Sequence, residues 1–181
     1  MAGTWTRNWR AFRNIMLMGS HHNGLSTIKN TEGVTVADRS SDNLTATSPL
    51  GIYNNDLGAT ASASSIKLGS GNTAPTAADY TLEQPANINY LSCAVGAPVY
   101  DDSVGTVTRT ITVSVQNTGS ENVTIREWGL FGTVRTLNYY SSNVAVALLY
   151  REVLDSPVTL GQYQAASLEL TLNLTLTDPV S

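Results

Sequence analysis

The chain has 181 residues, with ten Lys and Arg against fourteen Asp and Glu, a formal net charge of −4 at pH 7, and 13% charged against 41% hydrophobic residues. A charged fraction about half of the roughly 25% usual in soluble chains leaves the exterior to Ser, Thr and Asn, neutral and polar. The length reads as one domain with an arm, the apolar content argues against global disorder, no apolar run approaches the ~18 residues of a membrane span, and an acidic chain whose only lysines are Lys29 and Lys67 has no general electrostatic footprint for nucleic acid.

The segment Met1–Ser20 differs from everything after it. Trp5, Trp9, Phe12 and Met16 recur at i, i+4, i+7 and i+11, with Arg7, Arg10 and Arg13 between them. That spacing places the aromatics on one helical face, and a docked strand or arm is the rival shape. Two readings stand: the aromatics complete the chain's own core, or Trp5, Trp9, Phe12, Arg7, Arg10 and Arg13 form a docking segment on a neighbouring subunit, since large aromatics and Arg anchor interfaces. The expected division is an N-terminal arm or short helix over residues 1–20 and a β domain over 21–181. No continuous apolar stretch precedes a small-residue cleavage site, so the chain reads as made in a cytoplasm and not exported by the Sec route. The single cysteine, Cys93, excludes an internal disulfide and fits a reducing compartment.

From His21 to Ser65 the sequence is rich in turn signals, at Asn23-Gly24, Asn30-Thr31-Glu32-Gly33 and Asn54 to Gly58, with short β pieces such as Gly33–Val36 between them. Gly69-Ser70-Gly71 reads as a turn between strands; a dinucleotide fingerprint needs a third glycine and a following helix, and a P-loop needs Gly-Lys-Ser/Thr. In 107–116, Val107, Ile111, Val113 and Val115 alternate with Thr108, Thr110, Thr112, Ser114 and Gln116, the period of a half-buried strand. Asn117-Thr118-Gly119-Ser120 then turns into Val123, Ile125 and Trp128–Phe131, read as its hairpin partner. Val144–Val153 is long enough for a strand buried on both faces. Leu168, Leu170, Leu172, Leu174 and Leu176, alternating with polar residues, close the chain. Strands joined by polar turns with no convincing helix between them predict an all-β, antiparallel sandwich of jelly-roll or immunoglobulin-like type.

Little here suggests catalysis. His21 and His22 are adjacent in a loop, and no Gly-x-Ser-x-Gly elbow exists to supply a nucleophile. One cysteine and two neighbouring histidines cannot build a structural zinc site, and Asp38, Asp42, Asp101 and Asp102 lack EF-hand spacing. No cofactor, metal or catalytic residue is expected. Tyr139 and Tyr140 beside Ser141, Ser142 and Asn143 offer a candidate saccharide-binding loop, against the plainer reading of a polar hairpin turn.

Three segments carry a resemblance. Gly69-Ser70-Gly71-Asn72-Thr73-Ala74-Pro75-Thr76-Ala77-Ala78-Asp79-Tyr80-Thr81-Leu82-Glu83 is followed by Ile125-Arg126-Glu127-Trp128-Gly129-Leu130-Phe131 and then by Leu148-Leu149-Tyr150-Arg151. This order resembles a group of tailed-bacteriophage virion proteins and, more distantly, the N-terminal attachment domain of tail fibres in contractile-tailed phages. It covers about Ile66 to Thr177. The resemblance implies a virion structural protein made in the host bacterial cytoplasm, a capsid decoration protein, a neck component or a fibre adaptor. Its expected partners are other copies of itself, in a trimer or a ring, and the major capsid, neck or tail proteins. A carbohydrate-binding module for host adsorption is the alternative.

The motif residues Gly69, Gly71, Pro75, Asp79, Glu127, Gly129 and Arg151 also have a physical reading of their own. Gly69 and Gly71 are expected at φ > 0 in a tight turn, Pro75 stiffens the loop, and Asp79 caps backbone N–H groups before Leu82 enters the core. Glu127, beside Trp128-Gly129-Leu130, is expected to be buried and paired with Arg151 or Arg126, fixing strand register. Work as a general acid or base would need a second acidic partner, which the sequence does not show.

Overall fold

A computed structural model describes residues 3–9, 28–35, 43–47, 66–138 and 141–175, with 43–47, 133–138, 141–145 and 175 described at the level of the backbone. Among the described residues nine strands are formed: β1 (Thr4–Trp5), β2 (Asn43–Thr47), β3 (Ile66–Gly69), β4 (Asn89–Val95), β5 (Val99–Asp101), β6 (Thr106–Gln116), β7 (Val123–Asn138), β8 (Ser141–Leu160) and β9 (Ala165–Thr175). They make two antiparallel sheets packed against each other, an all-β sandwich. In the first sheet β8 lies between β1 and β7, and β3 and β2 share the far edge of β7, β3 along 127–130 and β2 along 133–137. In the second, β6 is central, with β9 along its full length on one side and β4 and β5 on the other.

Alternation decides which side chains meet between the sheets. Ile111, Val113 and Val115 of β6 and Leu168, Leu170 and Leu172 of β9 face Ile66, Leu68, Ile125, Trp128 and Leu130 of the first sheet in one cluster. Each such aliphatic side chain contributes about 1.5–3 kcal/mol by leaving water. The polar partners in the alternation, such as Thr110, Glu169, Thr171 and Asn173, are exposed on the opposite face. The 144–153 run is the middle of β8, where Ala147 to Arg151 are all buried.

The hairpin expected between β6 and β7 does not form. The two strands lie in different sheets, and β7 pairs with β8, β3 and β2. The turn after β6 instead carries the chain across the sandwich, and Asn117 makes the crossing. Its buried side chain donates to the carbonyls of Glu121 (2.7 Å) and Leu160 (3.0 Å) and accepts from the Gly119 N–H. Its backbone is bonded to Gln164 and Tyr163. Residues 161–164 are the return crossing from β8 to β9, so Asn117 ties the two crossings together at one end of the molecule. A polar turn of this composition closes a hairpin or a crossing equally well; the buried amide decides for the crossing.

Two bulges re-aim the first sheet. The register of β7 on β8 shifts between Ile125 and Glu127 and again between Leu130 and Phe131. The first shift moves the inward phase from Ile125 to Trp128 and Leu130 and turns Glu127 outward. At the second, β8 carries the extra residue, Leu149, and the N-terminal segment bonds to the carbonyls of Leu148 and Leu149. The Thr6 N–H donates to Leu149 O (2.8 Å), the Thr6 hydroxyl to Leu148 O (2.6 Å), and Asn8 Nδ2 to Leu148 O (3.2 Å).

The N-terminal segment is thus part of the sandwich over its described residues. Thr4 and Trp5 pair with Arg151 and Tyr150, and a helical turn begins only at Arg7. Trp5 stacks between Trp9 (4.6 Å) and Tyr150 (4.9 Å), and Tyr150 meets Trp128 at 5.1 Å, so a row of rings runs from this segment into the core. The i, i+4 spacing of Trp5 and Trp9 is realised across a strand and the turn after it. Arg10, Phe12 and Arg13 lie outside the described residues.

Candidate functional site

The residues that carry the resemblance converge on the outer face of the first sheet. Arg151 on β8 is the register partner of Gly129 on β7, and Glu127 lies two pairs along, opposite Val153. Glu127 and Arg151 therefore point to the same side, away from the core, and both are buried. The cover is the loop of residues 70–88 between β3 and β4.

Glu127 holds that loop to the sheet with both carboxylate oxygens. Oε1 accepts the N–H groups of Gly71 (3.1 Å) and Gln84 (2.9 Å), and Oε2 accepts the N–H of Glu83 (3.2 Å) and Nε of Arg151 (2.7 Å). Arg151 then spreads its guanidinium over the loop. Nη1 donates to Asp79 Oδ2 at 2.9 Å and Nη2 to Glu83 Oε2 at 3.3 Å. The same Glu83 oxygen accepts from the Asn72 and Thr73 N–H groups and the Thr73 hydroxyl, and Asp79 accepts from the Thr76 N–H and hydroxyl. One arginine thus joins three carboxylates, each of which also closes a turn of the loop. The planar fork of Arg suits this arrangement, and a lysine would not reproduce it.

Electrostatics follow the contacts. Burial alone would raise the Asp79 carboxyl, but hydrogen bonds from Thr76 and Arg151 outweigh it and hold the group below its usual range. The Thr73 N–H and hydroxyl, aided by Asn72 and Arg151, hold Glu83 low. Burial opposes the charge on Arg151, yet its bonds to Glu127 and Asp79 more than compensate and stabilise the cation. Nearby, burial and the Glu152 carboxylate at 2.8 Å push the Tyr150 phenol up.

The glycines of the motif serve close approach. Neither Gly69 nor Gly71 is among the positive-φ residues; among the described glycines those are Gly33 and Gly105. A Cβ at Gly69 would stand 2.5 Å from Glu127 Oε1 and 2.7 Å from the Gln84 carbonyl, and one at Gly71 would stand 2.5 Å from the Glu83 Cβ. The expected turn geometry is corrected accordingly: these positions are glycine because a carboxylate lies against the backbone. At Gly129 a Cβ would meet Leu148, Leu82 and Phe131 at 2.7–3.1 Å. Those three side chains form a small buried cluster, through which Leu82 plugs the loop onto the sheet. Pro75 and Ala77 meet the N-terminal segment, where Thr4 Oγ1 approaches the Pro75 carbonyl and the Arg7 N–H donates to Ala77 O at 2.9 Å.

The partner of Glu127 is thus Arg151 and not Arg126, which occupies the first bulge. Sequence reasoning did not single out Glu83, although it stands in the motif, nor Thr6, Asn8 and Asn117 as buried polar links. Asp101 closes its own turn, accepting from the Ser103 N–H and hydroxyl. Among the described residues no group of three or more His, Cys, Asp and Glu is placed to hold a metal ion. His21, His22, Tyr139 and Tyr140 lie outside the described residues. Chemically the cluster is a clamp: both Glu127 oxygens are occupied by protein donors.

Compared with protein-family models, with curated proteins and with solved structures, the chain matches none of them.

Proposed function

We propose that the chain is a non-enzymatic structural protein of a tailed-bacteriophage virion, an oligomeric β-sandwich subunit that decorates the capsid or forms part of the neck, tail or fibre-attachment apparatus. One observation carries the reading. The three segments that resemble phage virion proteins, separate in sequence, meet in one cluster whose buried pair, Glu127 and Arg151, holds a loop to a sheet. A cluster used in that way suits a scaffold. The low charge supports the same reading, because subunits packed at high density are better served by neutral hydrogen-bonding surfaces than by like-charge repulsion.

The test is mass spectrometry of purified particles, with the chain expected at a fixed stoichiometry to the major capsid protein. Its absence from particles would overturn the virion reading. Glu127→Gln is expected to lower incorporation or folding yield; particles carrying the variant at normal stoichiometry and stability would overturn the role given to the clamp.

A further inference from the structure

The sheet edges of this molecule are not alike. The free side of β3 is covered, with Ser70 N–H bonded to Gln84 O, Ala86 N–H to Leu68 O, and the Leu68 N–H to the Tyr90 hydroxyl. β1 is two residues long and β5 three. β4 is interrupted by a register shift between Tyr90 and Ser92. Short strands, bulges and covering groups are the devices by which proteins blunt an edge. β9 is covered only at its end, where Trp5 reaches Asn173, and over 165–171 it has none of them. It runs eleven residues in unbroken register with β6, contains no Pro and no Lys, and bears a single charge, Glu169.

The outward-facing backbone groups of β9 can be identified. Trp5 Nε1 donates to the Asn173 carbonyl at 3.1 Å, so that carbonyl points away from β6. In an antiparallel ladder alternate residues point the same way. Thr171, Glu169, Ser167 and Ala165 therefore also present their N–H and C=O groups outward. The close side-chain pairs Thr108–Asn173 (2.9 Å) and Ser114–Ser167 (2.7 Å) agree, since non-hydrogen-bonded pairs bring side chains nearest.

We propose that β9 is a dimerisation edge, pairing antiparallel with β9 of a second copy of this chain about a twofold axis at Leu168. In that register Ala165 stands opposite Thr171 of the second copy and Ser167 opposite Glu169. The four outward residues of each strand are used, Trp5 keeps Asn173, and no like charges are directly opposed. Four such pairs exchange about eight backbone hydrogen bonds. The alternative register, centred on Glu169, sets two carboxylates face to face. Self-pairing also consumes the longest edge of unbroken register among the described residues, and twofold pairing of one edge closes at two. A head-to-tail sheet would need a second edge to receive β9, and among the described residues β2 and β5 are short, β4 is broken, and the side of β8 that β1 leaves uncovered carries Pro157. The inference deepens the self-association in the proposed function and rests on that reading only for the expectation of a homo-oligomer.

The experiment is sedimentation of the full chain beside Thr171→Pro. Proline at 171 removes an outward N–H and no bond to β6, so the sandwich is retained; circular dichroism checks this. The wild type is expected at twice the chain mass and the variant at the chain mass. Independently, the Ser167→Cys/Glu169→Cys double variant is expected to form a covalent dimer on mild oxidation, linked 167 to 169 between copies. Opposed residues lie within disulfide reach, whereas two residues apart on one strand do not. A wild type that stays at the chain mass, or an oligomer unmoved by Thr171→Pro and giving no 167–169 link, overturns the proposal. A β9 dimer of a chain missing from particles leaves this interface standing and removes the virion reading, and a particle-borne chain without the interface does the reverse.

Discussion

On the outer face of the first sheet the positions under the 70–88 loop, Glu127, Gly129, Phe131, Leu148 and Arg151, are all buried. On the outer face of the second the outward positions are Thr110, Thr112, Ser114, Ser167, Glu169 and Thr171, and they stand exposed or half-exposed. Alternation alone tells which face turns inward; the residue types on the other face tell whether it is covered. A covered face uses glycine for close approach and opposite charges that satisfy each other. A bare face uses hydroxyls, which bond to water or across the strands, as Ser114 and Ser167 do.

The contrast can be broken by substitution. Arg151→Met would leave Glu127 buried without its cation, and a loss of about 3–5 kcal/mol is expected, measured as a lowered midpoint in urea. Gly129→Ala drives a methyl into Leu148, Leu82 and Phe131 and should cost about 1–3 kcal/mol by overpacking, read by the same titration. Acid comes next. Asp79 and Glu83 titrate below their ordinary values in the folded state, so the unfolded chain binds more protons as pH falls. Their stabilisation is complete above the normal carboxyl range near pH 4 and is lost as pH drops from there through the folded values. Thermal melts should show Asp79→Asn with a shallower acid slope than the wild type; an unchanged slope removes Asp79 from the clamp. On the bare face, Thr112→Val should move the urea midpoint by no more than about 0.5 kcal/mol.

Much of this was legible in the sequence. The alternations of β6 and β9 gave strands and inward residues directly, and the break in phase from Ile125 to Trp128 is the trace of the first bulge. The pairing of Glu127 with Arg151 could be expected because a charged residue within an apolar run needs a partner. The connection from β6 to β7 could not, since a polar turn of this kind does not specify which sheet the next strand joins. Gly69 and Gly71 look like turn residues in the sequence because their real constraint, a carboxylate from a strand far along the chain, leaves no local signal. Trp5 and Trp9 fit a helix by spacing, but the exposed carbonyls at the β8 bulge draw Thr4–Thr6 into extended pairing.

The clamp also orders events in time. Its arginine is made last: Asp79 and Arg151 are 72 residues apart, and Thr6 bonds to a carbonyl 142 residues further along the chain. At the ~5–20 residues per second of synthesis, roughly 4–14 s separate the loop from the strand that fastens it. From the completion of β7 until Arg151 is made, the apolar outer face of β7 has a lid that cannot lock. The nascent chain is therefore most open to association just before β8 emerges, and its N-terminus, though made first, waits for β8 before Thr6 finds its carbonyls.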